Sequence, residues 1–87
     1  TPIRAAGDGR ITFRGVKGGY GNVIVLAHSR GVETLYAHMH RFAKGVFVGK
    51  RVKQGELIGY VGMTGLASGP HLHYEFRVNG VHRNPQS

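Results

Sequence analysis

The 87-residue chain contains no cysteine, so neither a disulfide nor a cysteine-based zinc site can help to hold its fold together. No apolar run is long enough to cross a bilayer, which excludes a transmembrane helix, and no signal peptide opens the sequence. No segment has the 3.6-residue period of an amphipathic helix, and a turn around residues 40–44 is the one helical candidate. These absences favour one small all-β domain with a thin core.

Acidic residues are scarce, with four of them against twelve lysines and arginines, so the net charge is +8. A basic surface implies an anionic partner, such as nucleic acid, an acidic membrane surface or an acidic polymer such as bacterial cell wall. The cations are scattered, and the aromatic residues alternate with polar ones as they do in core-facing strand positions. Nucleic-acid binding is therefore not expected, because it gains from dense cations interleaved with exposed aromatics.

Fifteen glycines divide the chain into short segments rich in β-branched and aromatic residues. These segments predict strands over residues 10–16, 22–27, 33–38, 51–52, 57–61 and 71–78. The pair Asn79-Gly80 is a strong hairpin signal, because both residues can adopt positive φ. The sequence therefore predicts a compact, mostly antiparallel, sandwich-like β-sheet.

The segment VFVGKRVKQGELIGYVG repeats a valine–glycine spacing that suits two short strands joined by a tight turn. It is not a phosphate-binding loop, because no Gly-Lys-Ser/Thr follows the glycines and no helix opens after them. The same spacing suggests a lipoyl- or biotinyl-like carrier domain. That class fails because no Met-Lys-Met or similar modified lysine occupies a hairpin tip.

Two His-x-His pairs stand at the ends of β-runs, and residues two apart in a strand share a face. In the closing strand the predicted polar face, directed towards water or a cleft, holds His71, His73, Glu75 and Arg77. The opposite, core face holds Leu72, Tyr74, Phe76 and Val78. The two imidazoles of this strand would then stand roughly 6.5–7 Å apart at Cα.

The segment TLYAHMH predicts a second such face, formed by Thr34, Tyr36, His38 and His40, with Leu35, Ala37 and Met39 opposite. Convergence of the two strands would bring up to four imidazoles together, as in a metal or general-base site; a pH-responsive surface or an adventitious metal patch is the alternative. Zinc is the expected metal, because no thiolate or methionine set selects copper. The isolated His28 and His82 are expected to be ordinary surface or core residues. Glu75 could orient His73 or pair with Arg77, and no third ligand emerges from spacing alone.

The segments GYGNVIVLAH, TLYAHM, VKQGELIGYVGMTGLASGPHLHYEFRVNG and NP, in this order, resemble the lysostaphin-type (LytM-type) zinc metallopeptidases, which cut peptide cross-links in bacterial peptidoglycan. The resemblance covers nearly the whole chain. It implies a β-fold of the duplicated-hybrid-motif type with a groove over the sheet. It also implies a zinc endopeptidase of the cell envelope, periplasmic or secreted, with peptidoglycan as partner.

By this resemblance, the second histidine of His-x-His, His73, would be a zinc ligand, and His71 and His38 would be the catalytic pair. Tyr36, His40 and Glu75 are further candidates for the groove or for contacts behind the metal site. His40 has no family role, because family members commonly carry a small polar residue there.

The family's other two zinc ligands come from a His-x-x-x-Asp motif that this chain does not contain and that we expect shortly before Thr1. We therefore expect residues 1–87 to be a single metallopeptidase domain truncated at its N-terminus, in which a missing strand exposes a sheet edge for pairing. The alternative is a non-catalytic family member that binds cell wall or regulates a wall amidase.

Overall fold

The computed structural model describes residues 1–61, 72–79 and 81–83, and every regular element in these ranges is a β-strand. The strands are β1 (Pro2–Arg4), β2 (Gly9–Lys17), β3 (Gly21–Ala27), β4 (Val32–Phe42), β5 (Arg51–Val52), β6 (Leu57–Val61), β7 (His73–Val78) and β8 (Val81–Arg83). All of their pairings are antiparallel, which confirms the predicted fold class. Within these ranges no helix is long and apolar enough to cross a membrane.

The strands lie in the order β1-β6-β4-β3-β2-β5, and β7 lies beside β4 with β8 next to it. The hairpin expected at the Asn79-Gly80 pair is confirmed, since Val78 faces Val81 across β7 and β8. Asn79 has a φ of 51°, the left-handed conformation that this kind of turn requires. The helical turn expected around 40–44 is wrong, because β4 continues to Phe42, where it still pairs with β6.

The long strand β4 changes its neighbour on one side halfway along its length. Residues from Val32 to Ala37 pair with β7, whereas Met39 and the residues after it pair with β6. On the other side β4 pairs with β3 from Glu33 to Met39, with an irregularity between Asn22 and Ile24. The single residue between the two partners is His38, and we call this position the fork.

The apolar run of β3 is buried on both faces of the sheet, so it does not alternate with polar residues. One cluster of buried residues packs Ile24 and Leu26 of this strand with Tyr36, Met39 and others. The second cluster contains Val23, Val25, Leu35 and Ala37. Both faces around the fork are therefore packed, which leaves the backbone of β4 little freedom to shift.

The turn predicted between the two short strands at 51–52 and 57–61 is present. Glu56 N–H donates to the Lys53 carbonyl at 2.9 Å, and Gly55 has a φ of 84°. The two strands do not form a hairpin, because β5 pairs with β2 while β6 pairs with β1 and β4. Strand β1 lies outside the strand ranges given above; it is short, and its pairing with β6 is what makes it a strand.

Candidate active site

A cavity of about 400 Å³ lies at the fork, between the tip of the β2–β3 hairpin and the start of β7. Its lining residues are Gly18, Gly19, Tyr20, His38, His73 and Glu75. Two of the four paired histidines are therefore brought to one place. The ring centroids of His38 and His73 are 6.0 Å apart, with the ring planes close to perpendicular.

His38 reaches this cavity because the backbone at the fork leaves the β conformation. Its φ is 57°, a left-handed value that costs a non-glycine residue about 1–2 kcal/mol. Its N–H donates to the Tyr20 carbonyl at 2.8 Å instead of to a strand partner. The predicted alternation is consequently wrong from this residue onward: Met39 packs with Tyr36, and His38 lies beside His73, whose strand neighbour is Ala37.

His73 stands at the start of β7, with its side chain 40% exposed. Its Nε2 lies 2.9 Å from Glu75 Oε2, and its ring centroid is 5.6 Å from that of Tyr20. From the sequence, Glu75 could orient His73 or pair with Arg77. Both are observed, because Arg77 also binds it.

Glu75 is buried, with 4% of its surface exposed, and it lines the cavity, so of the two surroundings predicted for this face, water or a cleft, it has the cleft. Tyr20 Oη donates to its Oε2 at 2.9 Å, and Arg77 Nε and Nη2 donate to its Oε1 at 3.0 and 2.6 Å. Burial by itself raises the pKa of a carboxyl group. The hydrogen bonds from His73, Arg77 and Tyr20 outweigh it and lower the pKa of Glu75 to about 2. Glu75 is therefore a carboxylate that only accepts hydrogen bonds.

Sequence reasoning missed Tyr20 as a site residue. Its hydroxyl binds Glu75 and its carbonyl binds the His38 N–H, so it contacts the supports of both imidazoles. The hydrogen bond to Glu75, followed by the charge of that carboxylate, raises the pKa of Tyr20 and keeps its hydroxyl protonated. The available signal was a large aromatic residue within the glycine-rich turn sequence Gly18-Gly19-Tyr20-Gly21.

Two other residues predicted for the site, Tyr36 and His40, are not brought to this cavity. Tyr36 is 2% exposed and lies in the core, where its hydroxyl accepts the Ala6 N–H at 3.0 Å. His40 is exposed and does not line the cavity. His71, the second residue of the predicted catalytic pair, lies outside the described residues. The four-imidazole cluster is thus reduced to His38 and His73 among the residues that the structure describes.

A catalytic zinc ion usually has three protein ligands, supplied by His, Cys, Asp or Glu side chains. Within residues 1–61, 72–79 and 81–83, no group of three His, Cys, Asp or Glu side chains could hold a metal ion. His73 by itself fits a zinc ligand, because one ring nitrogen is held by a carboxylate, as in the carboxylate–histidine–zinc arrangements of metalloproteins. The described part of the chain therefore fits one position of a zinc site.

Comparison with known proteins gives consistent matches. Peptidoglycan DD-endopeptidase ShyC of Vibrio cholerae is 48% identical over 87 residues, which are 100% of this chain and 20% of that protein. The catalytic domain of the antimicrobial peptidase lysostaphin from Staphylococcus simulans superposes with a TM-score of 0.88 at 34% identity, over 99% of this chain and 68% of that domain. A zinc-containing peptidase from Vibrio cholerae superposes with a TM-score of 0.89 at 32% identity, over 95% of this chain and 25% of that one.

The chain spans about a fifth of the length of curated relatives such as this ShyC endopeptidase. The family model of peptidase family M23 matches residues 1–85. These matches confirm the resemblance to the lysostaphin-type enzymes and the fold that it implies. The chain belongs to peptidase family M23.

Proposed function

We propose that this chain forms part of the catalytic domain of a zinc endopeptidase that hydrolyses peptide cross-links in peptidoglycan. The observation that carries the proposal is the meeting of His38 and His73 in one cavity, reached by a strained backbone at the fork. A residue other than glycine in the left-handed conformation costs free energy, and such residues cluster at functional sites. The conformation of His38 therefore points to a function for its side chain. Family membership and the peptidoglycan endopeptidase among the relatives support the same reaction.

The proposed roles are those that the resemblance to the family implies for these residues. His73 supplies one zinc ligand, and the remaining ligands come from residues that the structure does not describe or from outside this chain. Zinc bound there would act as a Lewis acid on the scissile carbonyl and would acidify the attacking water. His71 takes a proton from that water as general base. His38 donates a hydrogen bond to the carbonyl oxygen as negative charge develops on it, an interaction typically worth about 10²–10³ in rate.

A second feature supports peptidoglycan as the partner. A groove of about 580 Å³ lies at the far end of β2, roughly 25–30 Å from the cavity by strand rise. It carries Arg10, Arg51 and Lys53, none of which forms an ion pair with another described residue. Its one carboxylate, Asp8, already accepts the Gln54 N–H at 2.7 Å. We propose that this basic groove holds the anionic stem peptides of the wall and that the protein acts in the cell envelope, periplasmic or secreted.

The test is hydrolysis of purified peptidoglycan by the zinc-loaded protein that carries this chain. His38→Gly is the informative variant, because glycine adopts the φ of 57° without strain and the fold is retained. We expect its rate to fall by about 10²–10³, and the matched variant His40→Gly, at an exposed position, to stay within a few-fold of wild type.

His73→Ala should lose the metal itself, measured by metal analysis of the purified protein. Equal rates in His38→Gly and His40→Gly, or full zinc content in His73→Ala, would refute the assignment of the cavity. A protein that sediments with peptidoglycan and never cuts it would instead be the non-catalytic wall-binding member of the family.

A further inference from the structure

The contact between His73 and Glu75 determines more than the direction of the ring. Glu75 is ionised and buried, and its Oε1 is taken up by the two donors of Arg77. Its Oε2 receives the Tyr20 hydroxyl and faces His73 Nε2 at 2.9 Å. A carboxylate can only accept a hydrogen bond, so the ring nitrogen at Nε2 must carry the proton.

A neutral imidazole has one protonated nitrogen and one with a lone pair. With the proton at Nε2, the lone pair of His73 is at Nδ1, and no other described residue forms a hydrogen bond with that nitrogen. We propose that Glu75 is a positioning residue that fixes His73 in the Nε2–H tautomer and thereby reserves Nδ1 as the donor atom for a zinc ion. The zinc part of this inference depends on the proposed function, whereas the tautomer does not.

The surroundings of Glu75 are arranged to keep it in the accepting role. Arg77 neutralises the buried charge through a two-pronged contact, and Tyr20 donates to the same oxygen as His73. Tyr20 also holds the N–H of His38 through its carbonyl. One tyrosine thus connects the carboxylate that sets the tautomer of His73 to the backbone that directs His38 into the cavity.

The variant Glu75→Gln tests the inference, because it keeps the shape of the side chain and changes only what it can donate and accept. Arg77 has no acceptor atoms, so the glutamine carbonyl must turn towards it. The amide NH₂ then faces His73 and donates to Nε2, which moves the proton of the neutral ring to Nδ1. Tyr20→Phe is the control: it removes one donor and keeps the carboxylate, so His73 should retain the wild-type tautomer.

The measurement is ¹⁵N NMR of the His73 ring in the 87-residue chain without metal, at a pH at which the imidazole is neutral. We expect Nε2–H in wild type and Tyr20→Phe, and Nδ1–H in Glu75→Gln. A wild-type ring protonated at Nδ1 would overturn the inference by itself, even if Glu75→Gln failed to fold. An unchanged tautomer in folded Glu75→Gln would overturn it as well.

Zinc affinity of the metal-binding protein separates this inference from the proposed function. Loss of the carboxylate behind a ligating histidine typically weakens metal binding about 10–100-fold, and we expect this for Glu75→Gln. Reversal of the tautomer with unchanged zinc affinity would exclude Nδ1 as the donor atom. A wild-type protein that bound no zinc would refute the proposed function alone, since the NMR result needs no metal and decides the tautomer.

Discussion

Replacing Thr34 by valine should break a chain of hydrogen bonds on the face of β4 opposite Glu75. His28 Nδ1 lies 2.7 Å from the Asp8 carbonyl, which only accepts, so Nδ1 is protonated and Nε2 of the neutral ring is an acceptor. The Thr34 hydroxyl therefore donates to Nε2 at 2.7 Å, and the Tyr36 hydroxyl donates to Thr34 Oγ1 at 2.8 Å. Ala6 N–H completes the chain by donating to Tyr36 Oη at 3.0 Å.

The magnitude follows from the groups left without partners. Valine is close to threonine in shape, so packing changes little while two polar atoms lose their hydrogen bond. The Tyr36 hydroxyl is buried, so losing its hydrogen bond to Thr34 costs about 1–3 kcal/mol. His28 is only partly buried, so water can replace part of its bond. We expect the free energy of unfolding to fall by about 2–4 kcal/mol in total.

Urea denaturation followed by circular dichroism measures this change. With an m-value of about 2 kcal/mol/M, the middle of the usual range for small proteins in urea, the midpoint should fall by roughly 1–2 M. The control is Thr12→Val, since Thr12 is exposed and its hydroxyl makes one long bond of 3.4 Å to the Val25 carbonyl. If both variants shifted the midpoint equally, the directed chain of hydrogen bonds would not stabilise the fold.

Two further predictions concern the sheet and the basic groove. Gly59→Ala should destabilise the protein by about 1–3 kcal/mol, because the alanine Cβ would meet the Met39 side chain and lie 2.8 Å from the Arg41 carbonyl. A thermal melt measures this change. A melting temperature equal to that of wild type would show that β4 and β6 can separate freely. Arg51→Ser should weaken sedimentation with peptidoglycan at low salt roughly two- to fivefold, and Arg14→Ser, outside the groove, should not. Binding that does not weaken as salt rises would contradict an electrostatic role for the groove.

Several parts of the fold could be predicted because their causes are local. The apolar run of β3 and the alternation in β7 reflect residues that suit extended, packed backbone. The turns at Asn79 and Gly55 follow from side chains that tolerate positive φ. Motifs near His38 and His73 also indicated the family, which the family model then confirmed.

Other parts depend on strands that are distant in the sequence. Alternation placed His38 on the face of Tyr36, and that prediction is wrong because β4 exchanges β7 for β6 at this residue. No propensity of histidine specifies a φ of 57°; the Tyr20 carbonyl and the packing of Met39 in the core hold it there. The meeting of His38 with His73 is thus a property of the assembled sheet.

The sequence by itself determined that the chain is all-β, that it belongs to a peptidase family, and which histidines are candidates for the site. Only the tertiary structure decided that Glu75 is buried, because a lone carboxylate in a strand is normally a solvated residue. Burial of this charge is tolerable when Tyr20, 55 residues away in the sequence, joins His73 and Arg77 as a donor. Spacing along one strand cannot specify such a set of donors, because it requires the β2–β3 hairpin to lie beside β7.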